Sequence, residues 1–184
     1  MRPSITAERG IVVGIAVALT LQAVNGYFAY RAATDYVQAA QDRRASLNIL
    51  QHSEGYLSLL KDAETGQRGF VLTADPSYLD PYKKAVAGLS ESRSKFYDSA
   101  RDEYPDVLTE VDRHTNKLMA ELGETIDLQL NDPVAGQAAA QELVRGGAGK
   151  HSMDELRRII SDLKAAKQLK PEIQRLRHDI CARS

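Results

Sequence analysis

From Ile11 to Ala29 the chain runs IVVGIAVALTLQAVNGYFA without a single charge. A helix of about 20 apolar residues crosses the hydrocarbon core of a bilayer, so this run predicts a transmembrane helix over 11–30. Gln22 and Asn25 dilute its second half, and Tyr27, Phe28 and Tyr30 cluster where an aromatic belt would lie. Arg2, Arg9 and the α-amino group precede the run against Glu8, whereas Arg31 and Asp35 beyond it cancel. This small excess favours an N-terminus (1–10) in the cytoplasm and a main domain outside it. A cleaved signal peptide is the rival, with Val24 and Gly26 as the small residues before a cut. The uncleaved anchor is preferred because helical patterning continues into Tyr30 and Val37. The expectation is a single-pass protein of the inner (cell) membrane, its body on the periplasmic or extracellular side.

The whole chain has 184 residues and a formal net charge of −1, so it lacks the basic bias that nucleic-acid binding usually shows. Its one cysteine, Cys181, excludes an internal disulfide framework and any multi-cysteine metal site. An oxidising compartment still fits, since a lone thiol could pair between chains.

Beyond the anchor the hydrophobic period is helical, with no strand alternation. A first helix is predicted to about Thr73, with Ile49, Tyr56, Leu60, Ala63, Gln67 and Phe70 on one face. Asp75-Pro76 is a cap-then-proline start for a second helix carrying Leu79, Tyr82, Val86, Leu89, Phe96 and Ala100. Tyr104-Pro105 opens a third, where Leu108, Val111, Thr115, Leu118, Leu122, Thr125 and Gln129 keep a seven-residue rhythm. Asn131-Asp132-Pro133 repeats the cap signal before a short segment to about Arg145. A loop, RGGAGK, follows, and Ser152 with Glu155 forms a capping box for a last helix bearing Met153, Leu156, Ile160 and Leu163. Short connections between long helices predict an all-α, antiparallel up-down four-helix bundle whose long first helix continues from the membrane helix.

One stretch does not follow helix propensity: DAETGQRGFVLTADPSYLDPY, residues 62–82, places Gly66 and Gly69 inside the first helix. Each costs about 1 kcal/mol against alanine. At 100° per residue, Gln67 falls at the centre of the apolar stripe with Phe70 and Val71 beside it. Glu64 and Arg68 flank the stripe at the spacing of a helical ion pair. Asp62, Thr65 and Gly69 point away, a bare back against which a second copy of the chain could pack. Asp75, Pro76, Tyr78, Pro81 and Tyr82 close the turn. A structural corner of the bundle, a ligand or dimer surface, and a catalytic site all remain open on these residues, the corner foremost.

DAETGQRGF…DPSYLDPY strongly resembles the signature of the type-three CHASE domain, an extracellular sensory module of bacterial histidine kinases, diguanylate cyclases and chemotaxis-type receptors. ELGETIDLQLND and LVRGGAGKHSMDELR are similar to its later helices, and the likeness covers roughly residues 10–163. The resemblance implies an all-helical sensory domain over 31–163 that has no enzymatic chemistry of its own and dimerises through the membrane. The family's ligands are largely unassigned, so the ligand here is unknown; the resemblance also implies a full-length histidine kinase or other receptor as partner or parent. A receptor of this kind returns through the bilayer, yet the tail KAAKQLKPEIQRLRHDICARS (164–184) is charged, interrupted by Pro171 and without a second apolar run. The expectation is a helical tail left outside the membrane. The chain would then be either a signal-input module working through a partner receptor, or a truncated or stand-alone remnant acting only in dimerisation.

GGAGKHS is not a phosphate loop, because Val144 stands where the pattern needs glycine and His151 where it needs Ser or Thr. His52, His114, His151 and His178 lack paired metal spacing and are expected as surface or capping residues. The sequence predicts no cofactor, no metal and no catalytic residue, since neither a nucleophile elbow nor an H-E-x-x-H pair occurs.

Overall fold

The computed structural model describes the backbone of residues 5–132 and 134–181, and the side chains of 10, 12–132 and 134–169. Regular structure among these residues is entirely helical. Helix α1 spans Ile5–Thr73, a 3₁₀ turn Pro76–Tyr78, α2 Leu79–Ala100, α3 Pro105–Asn131, α4 Ala135–Gly146 and α5 Ala148–Cys181. The chain divides into two units, Met1–Ala45 and Ser46–Ser184. In the first, Val12, Ile15, Leu19 and Phe28 of α1 are exposed. This helix is the one among the described residues that is long and apolar enough to cross a membrane.

The second unit holds the core. Tyr56 and Leu60 of α1, Phe96 of α2, Val111 and Leu118 of α3, and Met153, Leu156 and Ile160 of α5 are almost wholly out of solvent. Each of the six predicted α1 positions and each of the seven predicted α3 positions is buried, because a stripe at three- and four-residue spacing turns one continuous face to its neighbours. Among the described residues, three side-chain hydrogen bonds link α1 to α3: Tyr56 to Thr115, Gln67 to Thr125, and Gln129 to the Phe70 carbonyl. Their offsets of 59, 58 and 59 residues show both helices advancing in the same direction. Helix α5 runs opposite to α1, since Arg157 pairs with Glu64 and Lys164 with Glu54.

Several boundaries differ from expectation. Asp75 accepts from the Ser77 N–H at 2.9 Å, but the cap opens a 3₁₀ turn and α2 begins only at Leu79. Val86 is exposed and Ala85 buried in its place, a step of one residue toward the partner face. Asp132 does cap, accepting from Val134 and Ala135 N–H at 3.1 and 3.0 Å; Pro133 lies outside the described residues. The loop predicted over 145–150 shrinks to Gly147, which takes the left-handed conformation (φ 76°) and ends α4. The Gly147 carbonyl then accepts from the His151 N–H at 2.9 Å, closing the first turn of α5 before Ser152 is reached. Ser152 is therefore buried inside α5 and does not cap it. The helix also continues through Pro171, where expectation placed a break.

Candidate functional site: the glycine corner and its polar seam

The two glycines of the 62–82 stretch meet the start of α2. A Cβ at Gly66 would lie 2.8 Å from the Tyr82 backbone nitrogen and 3.0 Å from the Tyr78 carbonyl oxygen. At Gly69 it would lie 2.5 Å from Cδ1 of Tyr78. At Gly66 glycine is needed because helix backbone and returning backbone approach closer than any side chain permits. The bare back expected at Gly69 is thus corrected: the chain's own Tyr78 covers it. Asp62 and Thr65 are exposed as expected, and so are Asp75, Pro76, Tyr78 and Pro81. Phe70 packs with Leu79, Ile126 and the half-buried Tyr82 beneath the turn. The Ser77 N–H holds the Asp75 carboxyl below its usual range, and burial pushes the Tyr82 hydroxyl above its own.

Gln67 is 2 % exposed, in the middle of the α1–α3 contact. Its Nε2 donates to Thr125 Oγ1 at 2.6 Å, and that hydroxyl donates onward to the carbonyl of Glu121 or Leu122, each 3.0 Å away. One turn farther on, Gln129 Nε2 donates to the Phe70 carbonyl at 2.9 Å, while its Oε1 is buried without a partner. An unmatched buried acceptor costs about 1–3 kcal/mol.

Beside the seam Glu64, only 7 % exposed, holds two cations: Arg68 of its own helix at 2.9 Å and Arg157 of α5 at 3.5 Å. Burying a carboxylate is tolerable only with such partners. Glu121 of α3 stands close enough to feel both Glu64 and Arg68. Burial pushes its carboxyl up, and a hydrogen bond from the Gly149 N–H partly counters this. Three helices therefore meet through charge and amide at one level. Arg157, Glu121 and the pairing roles of Thr125 and Gln129 escaped sequence reasoning. The available signal was polar residues recurring in an otherwise apolar heptad stripe.

The seam joins α1, α3 and α5 through hydrogen bonds and ion pairs. It contains no nucleophile paired with a base, and among the described residues no group of three His, Cys, Asp or Glu side chains is placed to hold a metal ion.

The family model of the CHASE3 domain matches residues 39–174, which include the glycine corner, the seam and most of α5. The chain belongs to the CHASE3 family, whose domains are extracellular sensory modules of signalling proteins. The match extends into the segment that sequence reading set apart as a tail. Neither the curated proteins nor the solved structures returned a match.

Proposed function

We propose that this chain is a membrane-anchored signal-input module that works with, or as part of, a histidine kinase, diguanylate cyclase or chemoreceptor. The observation that carries the reading is that α1 bears both the apolar run and the CHASE3 corner, with the family match beginning at residue 39 of the same helix. The apolar run serves as a single inner-membrane anchor, N-terminus inside, with the sensory domain in the periplasm. Opposed runs of α1 and α5, and the shared direction of α1 and α3, support an up-down four-helix bundle in which α4 and α5 together form the last limb. Tyr30, Ala33 and Val37 are exposed at three- and four-residue spacing along α1 and favour a parallel homodimer through this segment. No catalytic step is assigned to the domain. Signalling then consists of shifting the bundle between two packings, which a stimulus does only by its differential affinity for them.

Thiol labelling of intact cells tests the placement. With Cys181→Ser as background, Thr65→Cys should react with a membrane-impermeant maleimide before lysis. Protection until lysis would place the domain in the cytoplasm and end the proposal. Purification of the tagged chain from native membranes tests the partnership, and should recover a full-length kinase, cyclase or chemoreceptor.

A further inference from the structure

His114 was expected at the surface, yet it is 4 % exposed. Nη2 of Arg113 lies 2.8 Å from its Nε2. A guanidinium can only donate, so Nε2 must be the acceptor and the ring proton must sit on Nδ1. Nδ1 is buried without a hydrogen-bond partner. From α5, the His151 ring makes a T-shaped contact with the His114 ring, centroids 6.3 Å apart and planes at 73°. The His151 N–H is in turn bound to the carbonyl of left-handed Gly147, the one residue between α4 and α5. The ring contact therefore sits on the turn that aims α5. The other charged groups acting on His114 are Glu110 and Lys117 of α3 and Glu155 of α5; Glu110 is 3.9 Å from Nε2.

We propose that the His114–His151 contact is an acid-responsive latch between α3 and α5, whose protonation releases the first turns of α5 to move about Gly147. A proton arriving at Nε2 turns the acceptor into a second donor, and the Arg113 contact becomes N–H against N–H. Arg113 already reaches Glu110 with Nε and Nη2, and half its side chain is exposed, so it has somewhere to go. The His114 cation also faces the N-terminal end of α5, where the helix dipole is already positive. Glu155 offsets part of this charge but lies a full turn farther along the helix.

Burial and then Arg113 hold the His114 imidazole below its ordinary value of 6.5. The folded state thus takes up protons less readily than the unfolded chain. The latch is fully closed above the unfolded value and weakens as pH falls from there. As a stimulus, acid rests on the sensory reading above; as a physical transition it does not.

The test is amide hydrogen exchange of the full chain in lipid nanodiscs at about pH 7.5 and about pH 5, corrected for intrinsic exchange. Protection over 148–158 should fall about threefold or more on acidification while 115–125 is unchanged. His114→Leu, a neutral group of similar volume, should remove the acid response, and the exposed His151→Gln should reduce it. Where His114→Leu does not fold, the imidazole carbon shifts of His114 in the native chain decide. Titration in step with the loss of α5 protection supports the latch, and a ring that never titrates in step with it overturns it. Equal protection at both pH values, or an undiminished response in both variants, also overturns it. Retained acid response of exchange in a receptor whose output ignores acid would support the latch and count against acid as the stimulus.

Discussion

Gln67 of α1 and Thr125 of α3 meet at 2.6 Å where both are almost wholly out of solvent, and the threonine hydroxyl donates to a carbonyl of its own helix. With Tyr56–Thr115 one end along and Gln129–Phe70 the other, the pair sets the register of α1 against α3. The seam therefore specifies one packing sharply while leaving a buried acceptor on Gln129 that a second packing could satisfy.

Removing either partner of that central bond should destabilise the domain. Gln67→Leu and Thr125→Val should each cost about 1–2 kcal/mol by chemical denaturation. The double variant should cost less than the sum, with a coupling of about 1 kcal/mol. Strict additivity would mean the bond contributes nothing.

The two glycines should differ. Alanine at Gly66 meets backbone atoms of Tyr82 and Tyr78 that cannot yield. The overpacking should outweigh the helix-propensity gain, for a net loss of about 1–3 kcal/mol. Alanine at Gly69 meets the ring of a half-exposed tyrosine, which can turn aside, so its net effect should be smaller. Thermal unfolding of both variants ranks them; a stabilised Gly66→Ala would contradict the close approach.

Ala74 ends α1 in the left-handed region at φ 57°, its N–H bonded to the Phe70 carbonyl at 2.8 Å. Alanine is strained in that conformation and glycine is not. Ala74→Gly should stabilise by about 1 kcal/mol and raise the melting temperature. A lowered one would show that the end of α1 does not hold this geometry in solution.

At the opposite end of the domain, Arg93 donates to both oxygens of Asp112, at 2.9 and 2.7 Å, and stacks on Tyr97 at 4.1 Å. Burial would push the Asp112 carboxyl up, but hydrogen bonds, that from Arg93 foremost, outweigh it and the net shift is downward. Its contribution is therefore present above the unfolded value near 3.9 and is lost as pH falls below it. Both groups are partly solvated, so Asp112→Asn should cost only about 0.5–1 kcal/mol at neutral pH. The variant should also lose less stability than the parent between about pH 4 and pH 2.5. Parallel acid curves for the two proteins would remove Asp112 from the account.

The sequence by itself determined the helices, the buried faces of α1 and α3, and the caps at Asp75 and Asp132. These follow from side-chain spacing and from local hydrogen bonds within a few residues, which a linear reading can count. It also carried the family signature. What the glycines are for was not legible, because their neighbour is the start of α2, and the closeness of that approach is a property of two segments together. The merging of RGGAGK into a single left-handed residue and the burial of Ser152 depended on where α5 finds support along α3. His114 shows the limit most plainly. It sits one residue before Thr115 in the heptad stripe, and only the arrival of α5 closes it from water and sets it against His151. Periodicity states which face of a helix is covered; the residues that meet beneath that cover are decided by the registers between helices, which tertiary packing alone supplies.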